Sequence, residues 1–195
     1  MSSYYDAEAL VYDDSRGGLP RAQAAAAGVA SLVPSRGVAV DVAGGTGIVS
    51  LELARLGFSL IVVDLSTGML AVADERLPGR VVAASADALP IRSGSVDLVT
   101  TIWLLHLLPI KIADQVVAEA ARVLRPGGHF VTTVDKDLAH GRDRRTNGDH
   151  AERITAVASR HRLRFAGQTS FIGRTRWGSA SESADQSFPL LALRR

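Results

Sequence analysis

Apolar runs rich in β-branched residues alternate with amphipathic stretches along most of this chain. Val38-Ala39-Val40, Leu60-Ile61-Val62-Val63, Val81-Val82-Ala83-Ala84, Val96 to Thr101 and His129 to Val134 are short and bounded by turn residues. That pattern predicts strands buried on both faces of a parallel sheet. Between them, Ile48 to Leu56, Ser66 to Arg76 and Pro109 to Leu124 read as helices, the last clearly amphipathic. Leu19 to Val33 is an alanine-rich helix stopped by Pro34, Ala151 to Arg162 is a further helix, and Leu163 to Arg174 and Phe188 to Leu193 are two final strands. Strand and helix in alternation give an α/β, doubly wound, Rossmann-like sheet, whose ligands bind at the carboxyl ends of the strands.

The polar residues that interrupt this pattern fall where such a sheet would use them. The first strand ends in Asp41, followed by Val42-Ala43-Gly44-Gly45-Thr46-Gly47 and a helix. Glycines there let backbone approach a ligand, and N–H groups at the helix start point outward. A dinucleotide fingerprint would place a third glycine where Ser50 stands, and a phosphate-binding P-loop would place a lysine after Gly47. Asp41 would repel a pyrophosphate and suits a ligand with an ammonium group, such as S-adenosylmethionine. The second strand ends in Asp64, about twenty residues past the loop, the spacing at which a carboxylate reaches ribose hydroxyls. The other role open to Asp64 is to cap the helix that Ser66 begins.

Asp41-Val42-Ala43-Gly44-Gly45-Thr46-Gly47 resembles the first motif of class I S-adenosylmethionine-dependent methyltransferases, with Ala43 in place of the first glycine, as in the ubiquinone/menaquinone-biosynthesis type. The resemblance implies a seven-stranded, mostly parallel sheet with an antiparallel last strand. It divides the single domain into an N-terminal lid and helix at 1–34 and a methyltransferase region at 35–195. The Tyr5 to Asp13 segment is similar to the family's lid, which implies Tyr12 over the cofactor and Arg16 against its carboxylate. Leu65 and Met69 would pack on adenine and ribose. In Ser85-Ala86-Asp87-Ala88, which resembles the third motif, Asp87 would accept the adenine amine, with Ala86 and Ala88 beside the ring. Thr101 and Ile102 would surround the methionine end. Leu105-His106 matches the start of the family's Leu-His-His exit, making His106 the candidate general base; packing among leucines is its other reading.

Composition adds limits. At 195 residues, 47% hydrophobic and net charge +2, the chain is an ordinary globular domain with no strong pull toward nucleic acid or membrane. It has no cysteine, hence no disulfide, thiolate metal site or cysteine nucleophile. No metal is expected. The expectation is a cytoplasmic monomer or homodimer that moves a methyl group from S-adenosylmethionine to O, N or C of a small molecule, leaving S-adenosylhomocysteine. The fifth strand would deliver Asp135, Lys136, Asp137 and His140 to the same edge, and the run Arg142-Asp143-Arg144-Arg145 is a charged loop. Two alternatives stand beside this: a nicotinamide-dependent oxidoreductase, which Ser50 and Asp41 disfavour, and a non-catalytic S-adenosylmethionine-binding domain. An RNA or protein methyltransferase is disfavoured by the modest charge.

Overall fold

The structure is a computed structural model that describes residues 2–136, 148–176 and 183–195. Asp137, His140, the Arg142 to Arg145 run and the Trp177 to Ser179 stretch lie outside the described residues. Strands β1 (Val38–Val42), β2 (Ser59–Asp64), β3 (Val81–Ala83), β4 (Val96–Thr101), β5 (Leu124–Thr133), β6 (Arg164–Arg176) and β7 (Ser183–Arg194) form one sheet in the order β3-β2-β1-β4-β5-β7-β6. Strands β1 to β5 pair in parallel. Strand β7 lies antiparallel between β5 and β6. This is the doubly wound, seven-stranded sheet with a reversed last strand that the sequence predicts.

Helices cover both faces. One layer holds α6 (Ile110–Val123) and α7 (Ala151–Arg160). Ala113, Val116, Val117 and Ala120 recur at one-turn spacing along α6 and bury against Val99, Phe130 and Ile154. The opposite layer holds α3 (Gly18–Leu32) and α4 (Ile48–Arg55), whose Ala25, Ala26, Val29 and Leu53 pack with Leu98, Val131 and Phe188. Helix α5 (Thr67–Arg76) rests Leu70 and Ala73 on Val62. Two short helices, α1 (Ser2–Glu8) and α2 (Tyr12–Ser15), precede α3.

Two elements begin earlier than the hydrophobic pattern indicates. Strand β5 starts at Leu124, because Leu124 pairs with Val96; the Arg125 to Gly128 turn is then an irregularity inside the strand. Strand β7 starts at Ser183 because its polar first half is held by main-chain pairing to β6, which leaves no apolar signature. Asp97 serves the far edge of the sheet, accepting the Val38 N–H at 2.8 Å and pairing with Arg125. His129 is buried at that same edge, and burial lowers its pKa. Among the described residues, no helix is long and apolar enough to cross a membrane.

Candidate cofactor cleft and adjoining chamber

The carboxyl ends of β1, β2 and β4 and the segment after β3 surround a cleft of about 240 Å³. The Gly loop forms its floor. Gly44 N–H donates to the Val63 carbonyl at 3.2 Å and Gly47 N–H to the Gly44 carbonyl at 2.9 Å, which fixes the turn. The loop's three glycines serve different ends. A Cβ on Gly44 would sit 2.9 Å from Val62 Cγ1 and 3.0 Å from Asp41 Oδ2. One on Gly47 would sit 3.1 Å from Ala73 Cβ, so that glycine lets α4 and α5 approach and is not on the cleft wall. A Cβ on Gly45 would meet only Met69 Sδ, at 3.9 Å, and would otherwise occupy cleft space. Ala43 stands at φ 56°. The left-handed region costs a residue with a Cβ roughly 1–2 kcal/mol, so the alanine stores strain that glycine would not.

Asp41 lines the deepest part of the cleft and is almost wholly buried. It is 2% exposed, and its oxygens accept from Ser50 Oγ at 2.5 Å and Thr100 Oγ1 at 2.7 Å. Burial pushes its pKa up, against the two hydrogen bonds. Its charge therefore acts from beneath the loop. Ser50, the residue that breaks the dinucleotide pattern, is one of the two donors that hold it.

Asp64 combines both of the roles open to it. Its Oδ2 accepts Gly45 N–H and its Oδ1 accepts Ser66 N–H, each at 2.8 Å, while the carboxylate lines the cleft. Each oxygen retains capacity for a second donor. Ser66 itself caps α5, accepting Met69 N–H at 3.1 Å. Leu65 is 60% exposed and Met69 is buried, and both line the cleft. Asp87 accepts the Ser85 hydroxyl and lines the cleft with Ala86. Ala88 is exposed and off the wall. Ile102 is on the wall; Thr101 is fully buried behind it, with its carbonyl accepting from Thr132 Oγ1.

The N-terminal helices lie across this cleft through two aspartates. Asp6 Oδ1 accepts Ser66 Oγ at 2.6 Å and Gly68 N–H at 2.9 Å. Those bonds hold its pKa below the usual carboxylate value. Asp13 accepts Thr46 Oγ1 at 2.6 Å through one oxygen and pairs with Arg76 at 2.6 Å through the other. Tyr5 and Tyr12 thereby line the cleft, with ring centroids 6.1 Å apart.

A second chamber of about 150 Å³ adjoins the first and shares Tyr5, Tyr12, Ile48, Trp103 and Leu107 with it. Arg16 and His106 line this chamber, not the cleft. His106 Nε2 lies 2.8 Å from Lys136 Nζ, so β5 does deliver Lys136 to the edge. The sequence reading assigned no role to Trp103, which forms the partition. It sits at φ 61°, its backbone N–H donates to Thr133 Oγ1 at 2.8 Å, and its ring packs edge-on against Phe171 and Phe188. A tryptophan directly after a buried strand was the available signal.

An adenosyl sulfonium fits this set of groups. The glycine at 45 leaves the floor open, two partly exposed carboxylates face the walls, and a third charge lies below. No phosphate-binding cation lines the cleft.

Comparison with known proteins agrees with this geometry. A family model described as a methyltransferase domain matches residues 40–132. The chain is 39% identical over 134 residues to the ubiquinone/menaquinone biosynthesis C-methyltransferase UbiE of Methylobacterium nodulans, covering 63% of this chain and 52% of that protein. It is 39% identical over 118 residues to the ubiquinone biosynthesis O-methyltransferase of Cupriavidus pinatubonensis, covering 57% of this chain and 46% of that one. The chain thus spans about half the length of the curated relatives it matches. Among solved structures, one described as converting a disulfide bond into a thioacetal group during echinomycin biosynthesis superposes with TM-score 0.76 at 20% identity, over 100% of this chain and 93% of the other. At that identity the likeness is one of fold.

Proposed function

We propose that the chain, whose residues 40–132 match a methyltransferase domain model, is a class I S-adenosylmethionine-dependent methyltransferase that transfers a methyl group to O, N or C of a small-molecule acceptor, with the donor in the larger cleft and the acceptor in the smaller chamber. The observation that carries this reading is the pair of connected compartments separated by Trp103. In it, Asp64 takes the ribose hydroxyls, Asp87 the adenine amine, and Leu65, Met69 and Ala86 the purine faces. Gly44, Gly45 and the charge of Asp41 hold the methionine end, with Ile102 beside it. Tyr12 closes the cleft from above as part of a lid made by α1 and α2. Gly47 and Thr101 support these surfaces from behind, and Ala88 stands outside them.

S-Adenosylmethionine supplies a methyl carbon on a positively charged sulfur, so an acceptor lone pair forms the new bond as the S–CH3 pair returns to sulfur. The protein's part is mostly alignment, which supplies on the order of 7–11 kcal/mol. Tyr12 and Trp103 wall the junction through which the methyl crosses, and the lid keeps water out. His106 and Lys136 provide the base. His106 Nε2 and Lys136 Nζ stand 2.8 Å apart on the chamber wall, which puts the candidate base His106 beside the acceptor's compartment. Such a base is worth roughly a hundred- to ten-thousand-fold for a hydroxyl acceptor and little for a neutral amine.

Cytoplasmic metabolism of small molecules suits a cysteine-free chain of this kind. The relatives' names differ in acceptor atom, one C- and one O-methyltransferase, so the atom must be measured. Incubation with methyl-labelled S-adenosylmethionine and fractionated metabolite pools should label one small product. Calorimetry showing tight binding of NAD or NADP and none of S-adenosylmethionine would reverse the reading in favour of an oxidoreductase.

A further inference from the structure

Resting on the methyltransferase reading, we propose that the acceptor is a small carboxylate and that Arg21 is the residue that selects it. Arg21 lies in the first turn of α3, 7% exposed, and lines the smaller chamber but not the cleft. Its guanidinium carbon stands 3.8 Å from the Trp103 ring centroid and 4.6 Å from that of Phe188. Nη1 donates to the Arg16 carbonyl at 2.7 Å. Nε is buried and makes no hydrogen bond, and among the described residues no carboxylate pairs with Arg21. A buried cation is normally paired, because its desolvation is otherwise uncompensated. Here no opposing group stands among the described residues.

The chamber's other charges point the same way. Arg16 and Lys136 add two cationic side chains to its wall. Among the described residues Asp13 is the wall's carboxylate, and Thr46 and Arg76 already engage its two oxygens. Burial draws the Arg21 pKa down to about 10, which leaves it a full cation at neutral pH. The contact with Trp103 holds the guanidinium in place beside the chamber, and a carboxylate is the partner that arginine recognises best. Room for this arrangement is made at Gly173, where a Cβ would lie 2.8 Å from Arg21 Cγ.

The test uses the protein loaded with S-adenosylhomocysteine, titrated with benzoate and phenylacetate against the neutral benzamide and phenylacetamide. Binding is read by calorimetry and by tryptophan emission, since Arg21 lies on Trp103. The wild type should prefer each carboxylate over its amide by about ten- to a hundredfold, the value of one charge-assisted contact. Arg21→Met should abolish the preference while leaving S-adenosylhomocysteine affinity unchanged, and Arg21→Lys should restore part of it. Equal binding of acid and amide, no carboxylate binding at all, or a preference that survives Arg21→Met overturns the proposal. Loss of S-adenosylhomocysteine binding by the wild type instead sinks the donor reading and this inference with it. If neither variant folds, the wild type's choice between acid and amide decides.

Discussion

Two compartments meet at Trp103, and they carry opposite charge. The cleft presents Asp64 and Asp87, with Asp41 at its base; the chamber presents Arg16, Arg21 and Lys136, and the one carboxylate lining it among the described residues, Asp13, is paired with Arg76. The cleft is drawn from adjacent turns of the parallel half of the sheet. The chamber is assembled from α2, α3, the exit of β4, the end of β5 and Gln186 of β7. On the proposed reading, a positively charged donor and an electron-rich acceptor would be met by surfaces of complementary sign, and the division of charge would sort the two ligands before any shape is tested.

The largest effect that bears on this division comes from Asp64→Ala. It removes the proposed ribose contacts and the acceptor for Gly45 and Ser66 N–H groups. At about 1.5–3 kcal/mol for each bond to the charged group, S-adenosylmethionine affinity should fall by two orders of magnitude or more. Unchanged affinity by calorimetry would place the donor elsewhere. Next is Asp13→Ala, which frees α2 from Thr46 and Arg76. It should raise the donor's dissociation rate about tenfold, read by stopped-flow tryptophan emission, and an unchanged rate would detach the lid from the cleft.

Asp41→Asn should act more weakly. The amide can keep its bonds to Ser50 and Thr100 while the buried charge is lost, so donor affinity should drop several-fold with no loss of thermal stability. The raised pKa of Asp41 means that its contribution to stability is present below the ordinary carboxylate range and lost as pH rises through the raised value. Asp6 has the opposite sign. Its lowered pKa gives a contribution present above about 3.8 and lost as pH falls through the lowered value. Hydrogen exchange should therefore show α1 loosening first in acid, and uniform protection down to the global transition would contradict it. The smallest effect belongs to Ala43→Gly. Relief of a positive φ is offset by the added freedom of the unfolded chain, about 0.4–1 kcal/mol, so the melting temperature should barely move.

How much of this was legible in the sequence follows the same boundary. Asp41, Asp64 and Asp87 were readable because each ends an apolar run or begins the turn after one, and a parallel sheet brings such ends together. Their division of labour was not: the depth of Asp41 depends on Thr100, 59 residues away, and its bond to Ser50 crosses from strand to helix. Gly47 looked like a ligand contact because its need for no side chain is the same whether a ligand or Ala73 fills the space. Arg16 was placed on the cofactor's carboxylate but lines the chamber, beside the candidate base His106, since only tertiary packing separates two compartments that share five residues. Arg21 carried no signal at all. In an alanine-rich helix it reads as a solvated face, and its burial depends on Gly173 and Phe188 at the other end of the chain.

On the proposed lid reading, the latches of α1 and α2 imply an order of loading. Asp6 and Asp13 grip Ser66, Gly68 and Thr46, the same turns that carry the walls of the cleft. Tyr12, Ser15 and Arg16, on or just after α2, are in turn part of the chamber. With α2 docked the passage to the cleft is roofed; with α2 released the second room has lost a side. The molecule's own masonry therefore calls for the first guest to be seated before the door that shapes the second guest's room swings to.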